Sequence, residues 1–267
     1  MCYTKKLIEA KVAWMKDYIT NAGCKSWVVG VSGGVDSSVA QRLAEKTGYP
    51  VICVAMPMWL HNDSAKGSLD QAMRLCVGRP NVQFNVREIG PIVAACKAGG
   101  MGESRLNEGN LRSRIRANIL YNFAGGYHGL VIGTGNRDED EIGYFTKGGD
   151  GLVDLCPFSQ DHKSQVRLMA AELDVPADII TQNPTAGLWD GQTDEGELGM
   201  TYAEVQWAIR YDDLPNAQRP EVEGRAVEVL AKVRHMRKVN GHKLHYPPVF
   251  DSLKLDPEYM AIPKFPS

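Results

Sequence analysis

The stretch VGVSGGVDSS, residues 29–38, combines residue types that could bind both phosphate and a metal ion. An apolar run ends in two glycines and helix-like sequence follows, so backbone N–H groups and the helix dipole would face an anion. The alternative is a tight turn that needs glycine for its positive φ. The carboxylate of Asp36 would repel phosphate unless Mg²⁺ lies between them, since magnesium binds one or two carboxylates together with phosphate oxygens. We therefore expect Asp36 to be a metal ligand.

A second carboxylate for the same ion is expected from the acidic segment RDEDE, residues 137–141. This segment follows GLVIGTG, which predicts a strand, and parallel sheets bind ligands at the carboxyl ends of their strands. Taken alone, a run of charges is more typical of a solvated loop. Neither G-x-x-x-x-G-K-[ST] nor G-x-G-x-x-G is present, which excludes the usual triphosphate and dinucleotide loops.

Lys163 and the turn FTKGGDGLVD are further candidates for chemistry. The pattern DHKSQV predicts that Lys163 lies in the first turn of a helix, where the dipole disfavours a cation. A local rule broken near a phosphate loop indicates function. The turn carries Lys147, Asp150 and Asp154, and its alternative interpretation is a hairpin with a charged tip.

Arg114 is the arginine that we expect to be functional on the helix predicted for 107–123. It falls among apolar neighbours on the face defined by Leu111, Ile115 and Asn118. An arginine on a buried face needs a charged partner. Two further arginines align with Glu108 on another face, which indicates an ordinary surface stripe of salt bridges: Arg112 and Arg116.

Alternating strands and helices must position these side chains. Strands are predicted at WVVGVS, VICVAMP, NVQFNV and GLVIGTG. Helical spacing predicts helices at Ile8–Ile19, 36–46, 69–77, 91–97, 107–123, the segment DHKSQVRLMAAEL and 221–239, with loops at 58–68 and from NPTAGLW to a capping box at Thr201 and Glu204. The fold class is therefore α/β, with a doubly wound parallel sheet flanked by helices.

Composition narrows the class of protein. The 30 basic and 32 acidic residues argue against a nucleic-acid partner or a membrane surface. Six scattered cysteines without a C-x-x-C pair indicate reduced thiols. The longest apolar run, VICVAMPMWL, is about half of the ~20 residues that a membrane helix needs. No leader pattern opens the chain, so we expect a cytoplasmic protein folded as a single domain over residues 1–267.

The motif S-G-G-x-D-S at Ser32–Ser37 resembles the pyrophosphate loop of ATP-pyrophosphatase enzymes, and GTGNRDEDEIGYFTKGGDG resembles a signature of NAD synthetases. The resemblance implies an adenine nucleotide alpha hydrolase-like, Rossmann-like fold, with Mg²⁺ on Asp36 and Glu139. It places ATP on Gly30, Val31, Ser32, Gly33, Gly34, Val35, Asp36, Ser37, Ser38, Thr134, Lys163 and Thr185. It places deamido-NAD on Arg114, Lys147, Asp154, His242 and Lys243, with Asp150 nearby.

The resemblance implies an ammonia-dependent ligase that adenylates deamido-NAD, and a homodimer whose dinucleotide pocket lies partly across the interface. Asp36, Lys163 and Asp150 are the expected catalytic side chains, Asp150 as a candidate for deprotonating ammonium. Only ~30 residues precede the loop, so we expect no N-terminal glutaminase domain. Rival interpretations are another adenylating enzyme, such as a tRNA-thiolating or GMP-synthetase-like protein, and a non-catalytic nucleotide sensor. Val35 departs from the glutamine common in that family.

Overall fold

The computed structural model describes residues 3–58, 63–182 and 193–248. Four parallel strands form its sheet in the order β3-β2-β1-β4. Their bounds are β1 Ser26–Gly30, β2 Val51–Ala55, β3 Val82–Val86 and β4 Gly129–Val131. The register pairs Val28 with Ile52 on one side and with Val131 on the other. Strand order therefore reverses between β1 and β4, where a doubly wound sheet binds its ligand.

Eleven α-helices are present within the described residues. They are α1 Tyr3–Asn21, α2 Val35–Lys46, α3 Asp63–Cys76, α4 Gly90–Ala98, α5 Arg105–Tyr127, α6 Arg137–Ile142, α7 Lys163–Glu172, α8 Ala177–Thr181, α9 Asp194–Leu198, α10 Tyr202–Asp213 and α11 Arg225–Asn240. Short 3₁₀ turns occupy Asn216–Gln218 and Gly241–Lys243. In the part of the chain that is described, no helix is long and apolar enough to span a membrane.

Helices cover both faces of the sheet, which confirms the predicted fold class. On one face, α1, α2 and α7 pack against Trp27 and Val29 through Met15, Val39 and Met169. On the other, α5 packs its Phe123 and Ala124 against the alternate strand residues, Val28, Ile52 and Val131. A separate apolar cluster joins α6, α9, α10 and α11. Packing of Ile142 in this cluster positions helix α6, which contains the acidic segment, at the edge of the sheet.

The predicted boundaries were wrong at several places. Helix α3 begins at Asp63, inside the segment expected to be a loop. RDEDE, for which a solvated loop was the alternative interpretation, lies in helix α6. Strand β4 is only three residues long, although Ile132 adds a single parallel bridge to Leu155. Helices α8 and α9 were not predicted. The capping box at Thr201 and Glu204 is confirmed as the start of α10.

Candidate active site

The glycine turn lies between β1 and α2, and its own serines hold it in shape. The Ser37 and Ser38 hydroxyls donate to Gly34 O at 3.0 and 2.9 Å, and Ser37 Oγ accepts from Ser32 N at 3.3 Å. Gly33 has φ +86°, and a Cβ there would lie 2.6 Å from Ser68 O, so only glycine fits. The N-cap residue of α2 is Gly34, which has no side chain to cap the helix. Its first N–H groups are oriented to receive an anion, as expected for a phosphate turn.

Asp36, Glu139 and Lys163 meet at the carboxyl edge of the sheet. Lys163 Nζ lies 2.6 Å from Asp36 Oδ2 and 3.4 Å from Glu139 Oε1. Lys163 is 3% exposed, so the ammonium is held between two carboxylates almost out of water. Because both carboxylates reach one nitrogen, both are within reach of one cation placed nearby. The structure thus joins three residues that are separated by up to 127 positions in the sequence.

Burial and charge shift the protonation of this cluster. Burial raises the pKa of Glu139 to about 7, and the nearby Asp36 charge adds to the shift while Lys163 opposes it. Burial alone would lower the pKa of Lys163, but the attraction of Asp36 and Glu139 outweighs it and the pKa rises above its ordinary value. Lys163 is therefore a permanent cation at neutral pH. A cation beside phosphate oxygens stabilises the charge that grows on a departing pyrophosphate.

Asn136 explains why Glu139 faces Asp36. Its side chain accepts hydrogen bonds from Asp138 N and Glu139 N, and Glu139 Oε2 accepts from Asn136 N, which makes a capping box at the start of α6. The Asn136 Nδ2 group also donates to Asp36 Oδ1 at 3.4 Å. Asn136 is fully buried. One side chain therefore starts the helix and links it to the glycine turn.

Asp138 holds the backbone N–H of Lys163 in place. Its carboxylate accepts from Lys163 N at 2.8 Å and lies 2.6 Å from His162 Nδ1. Asp138 is 1% exposed, which explains why it is not available to a ligand. Asp138 thus anchors the first residue of α7, and a carboxylate at a helix N-terminus suits the dipole. The cation of Lys163 is tolerated in that unfavourable position because the carboxylates of Asp36 and Glu139 contact its ammonium.

Tyr202 and Asp194 belong to the site although the sequence did not reveal them. Tyr202 Oη lies 2.7 Å from Glu139 Oε1 and 2.9 Å from Asp194 Oδ2. The Tyr202 ring also lies 4.7 Å from Lys163 Nζ, a cation–π contact. Burial and the two carboxylates raise the pKa of Tyr202, so its hydroxyl stays protonated. The available signals were the capping box, which places Tyr202 first on α10, and the acidic cluster TDEGE before it.

The oxygen donors of the site suit magnesium. Asp36 and Glu139 offer carboxylate oxygens around a position that is already cationic, and Mg²⁺ is usually held by one or two carboxylates plus phosphate and water. Among the described residues there is no cluster of three or more acidic, histidine or cysteine side chains that would bind a metal without help. The donor set therefore fits an ion that arrives with its nucleotide.

The turn at residues 144–154 is anchored on α5 and β4. Asp150 Oδ1 accepts from Ser113 Oγ at 2.7 Å and from Thr146 N at 3.0 Å. Asp154 Oδ2 accepts from Val131 N at 2.7 Å, and Tyr121 donates to its other oxygen. Both carboxylates thus hold the turn in place. Lys147 Nζ donates to His242 O at 3.0 Å, which ties the tip of the turn to the segment after α11.

The four basic residues that the resemblance assigns to deamido-NAD lie close together: Arg114, Lys147, His242 and Lys243. Arg114 is exposed and donates from Nε to Lys147 O at 3.2 Å. The expectation of a buried Arg114 was wrong, because α5 is buried on more than one side. Arg112 and Arg116, both expected on the surface, are half-buried. Lys243 Nζ donates to Gly143 O and Phe145 O.

Of the two threonines predicted to bind ATP, one lies within the described residues. Thr134 follows β4 at the carboxyl edge, two positions before Asn136, and is half-buried. Thr185 lies outside the described residues. Gly30 ends β1, and Val31 donates from its backbone N to Val54 O at 3.0 Å. Val35 is the first residue of α2 and is buried, so its side chain packs in the core.

A doubly wound sheet with a phosphate turn, a buried lysine and two facing carboxylates at its switch point defines a nucleotide-dependent enzyme of the ATP-pyrophosphatase class. A family model described as NAD synthase matches residues 7–247, so the chain belongs to the NAD synthase family.

Relatives of known name agree with this membership. The NH(3)-dependent NAD(+) synthetase of Sulfolobus acidocaldarius is 34% identical, over 91% of this chain and 88% of its own length. That of Thermococcus kodakarensis is 35% identical, over 90% of this chain and 94% of its own. The solved NMN synthetase from Francisella tularensis is similar in fold, with a TM-score of 0.81 and 32% identity, covering 94% of this chain and 100% of that one.

Proposed function

We propose that this chain converts deamido-NAD, ATP and ammonia to NAD, AMP and pyrophosphate, the final step of NAD biosynthesis. The observation that carries the proposal is the meeting of Asp36 and Glu139 around Lys163 beside the glycine turn. That arrangement supports release of pyrophosphate from a bound ATP. Family membership and relatives named as ammonia-dependent synthetases support the choice of substrates.

The reaction needs two steps because a carboxylate is a poor electrophile. In the first, a carboxylate oxygen of deamido-NAD attacks the α-phosphorus of ATP, and the bond from that phosphorus to the bridging oxygen of the β-phosphate breaks. Pyrophosphate leaves with that electron pair. In the second, ammonia attacks the activated carbonyl carbon, the carbon–oxygen bond to AMP breaks, and one proton is lost. The products are NAD and AMP.

The residues of the site are assigned to the first step. The Ser32–Ser38 turn presents N–H groups and hydroxyls to the β- and γ-phosphates, and Lys163 supplies a fixed positive charge. Asp36 and Glu139 would hold Mg²⁺, which when bound neutralises phosphate charge and orients the departing pyrophosphate. Thr134 and Thr185 are the proposed hydroxyl contacts to ATP.

The acid substrate is assigned to the neighbouring cluster. Arg114, Lys147, His242 and Lys243 form a basic surface beside the turn at 144–154, which suits the diphosphate of a dinucleotide. Asp154 is proposed to contact deamido-NAD through carboxylate lone pairs that are not used by the hydrogen bonds from Tyr121 Oη and Val131 N. Asp150 is the proposed acceptor of the proton from ammonium, and it is exposed at the tip of the turn.

The test follows products in a defined mixture. Purified protein is incubated with ATP, Mg²⁺ and deamido-NAD, with either ammonium or glutamine as nitrogen donor. We expect NAD, AMP and pyrophosphate in equal amounts with ammonium, and none of them with glutamine. Release of ADP and phosphate, or no AMP at all, would overturn the proposal.

A second candidate substrate is nicotinate mononucleotide, which the same two steps would convert to NMN. The observation that favours it is the likeness to a solved protein named NMN synthetase. The ratio of kcat/KM for deamido-NAD and for nicotinate mononucleotide decides between the two. A ratio above ten supports the first proposal, and a ratio below one-tenth supports the second.

The remaining expectations stay proposals. The chain acts as one cytoplasmic domain over residues 1–267, and ammonia comes from solution or from a separate glutaminase. It forms a homodimer, so light scattering after gel filtration should give twice the mass of the 29.4 kDa chain. A mass of one chain at working concentration would contradict the dimer.

A further inference from the structure

Arg116 lies on α5 over the carboxyl end of β2. Its Nε donates to Met56 O at 3.2 Å, and Met56 follows the last residue of that strand. Leu120, one turn further along α5, packs with Met56 against Gly30, where a Cβ would lie 3.3 Å from Leu120 Cδ1 and 3.4 Å from Met56 Cε. Gly30 ends β1 and leads into the glycine turn. Arg116 is therefore beside the edge of the sheet where the nucleotide is proposed to bind.

The charge of Arg116 is not neutralised within the described residues. Its guanidinium makes no ion pair there, and one of its five N–H donors is accounted for by Met56 O. By contrast Arg112, one turn earlier on the same helix, pairs with Glu108, which also pairs with Lys97 at 2.6 Å. Burial, followed by repulsion from Arg112, lowers the pKa of Arg116 to about 10. It still carries its charge at neutral pH.

A half-buried guanidinium with no ion pair among the described residues loses hydration without a charged partner in return, so its presence needs a reason. The carboxylate that attracts it electrostatically is Asp150, whose hydrogen bonds already go to Ser113 and Thr146. Asp150 belongs to the turn assigned to the acid substrate, and Met56 lies beside the end of β1. Arg116 thus lies between the regions proposed for the two substrates.

We propose that Arg116 is a substrate-binding residue that receives an anionic oxygen, either from the pyridine carboxylate of the acid substrate or from a phosphate of ATP. The proposal rests on the proposed function. An anionic group of a bound substrate would form an ion pair with the guanidinium, and this ion pair would offset the desolvation cost. Arg116 would also orient that oxygen where the carboxylate meets the α-phosphorus.

The test compares Arg116→Met and Arg116→Lys with a matched control, Arg112→Met, on the same helix. Glu108 keeps Lys97 in the control. KM is measured for ATP and for deamido-NAD, and Tm is measured for the free protein and with each substrate. We expect Arg116→Met to have a Tm equal to or above wild type when free, because an apolar side chain replaces a half-buried charge that has no ion pair among the described residues. We expect KM to rise at least tenfold for the substrate that donates the oxygen.

The arms of this experiment separate the alternatives. A rise confined to deamido-NAD identifies the carboxylate, and a rise confined to ATP identifies a phosphate. Arg116→Lys should recover part of the loss, and the control should stay within twofold of wild type. Unchanged KM values with a lower Tm would show a structural role and overturn the proposal. If wild type forms no NAD, the proposed function fails, and the substrate-induced Tm shifts still decide the role of Arg116.

Discussion

Replacing Lys163 by methionine should make the stability of the protein depend on Mg²⁺. Lys163 is 3% exposed and lies within 3.4 Å of both Asp36 and Glu139. Removing one partner of a buried ion pair costs about 3–5 kcal/mol, since the other charge stays buried and unpaired. The Asp36 and Glu139 side chains keep 18% and 17% exposure, which places the expected loss at the lower end, about 3 kcal/mol.

A divalent cation should then recover what the ammonium provided. With free Mg²⁺ at a hundred times its dissociation constant, binding to the folded state adds about 2.7 kcal/mol. In wild type the gain should be well below this, because Lys163 already neutralises the two carboxylates. The assay is urea unfolding with and without MgCl₂ at constant ionic strength. The double variant Lys163→Met with Asp36→Asn is the control and should gain little from magnesium.

Two results would refute this reasoning. Equal magnesium effects in wild type and Lys163→Met would show that the lysine does not weaken the binding of the ion by Asp36 and Glu139. A free Lys163→Met protein as stable as wild type would show that the three side chains are not coupled as the distances imply.

Three further predictions follow from particular contacts. Gly33→Ala should lower the unfolding free energy by about 2 kcal/mol, because the backbone has a positive φ and the new Cβ would clash with the Ser68 carbonyl oxygen. Gly34→Ala is the control: its Cβ has more room, so the unfolding free energy measured by urea titration should change little. Burial raises the pKa of Glu139 to about 7, so the protonated side chain contributes fully to stability below about pH 4.5, and that contribution is lost as pH rises through 7. Glu139→Gln should remove up to about 3 kcal/mol of this pH dependence of the unfolding free energy. An unchanged pH profile would contradict the prediction. Arg114→Ala should raise KM for deamido-NAD far more than KM for ATP, with stability within about 0.5 kcal/mol of wild type because the side chain is exposed; equal effects on both KM values would reject the assignment.

The central strands and most helices were predictable because their apolar residues follow simple periods. Strands β1 and β2 are buried on both faces, which gives near-continuous apolar runs. The start of α3 was missed because DSAKGSLD is polar and contains a glycine. The six residues of α6 are too few to show a helical period. Its capping box, Asn136 with Glu139, was a readable signal that the acidic composition obscured.

The part of the site that could not be predicted depends on tertiary packing. Local motifs identified Asp36, Glu139 and Lys163, but nothing local indicates that Tyr202 would reach Glu139 across 63 positions. The error on α5 has a similar origin. A single buried face was assumed, whereas Gly109, Leu111, Ser113, Ile115 and Ala117 are all buried. A helix covered on several sides leaves no face from which the exposure of one arginine can be read.

The central claim is that Asp36 and Glu139 together hold the ion that binds the triphosphate of ATP to the glycine turn. A crystal structure with a non-hydrolysable ATP analogue and Mn²⁺, located by its anomalous signal, tests it most directly. We predict one ion bound directly to an oxygen of each carboxylate and to phosphate oxygens, with the β- and γ-phosphates against the Ser32–Ser38 turn. A triphosphate bound elsewhere, or an ion that contacts neither carboxylate, would contradict the account.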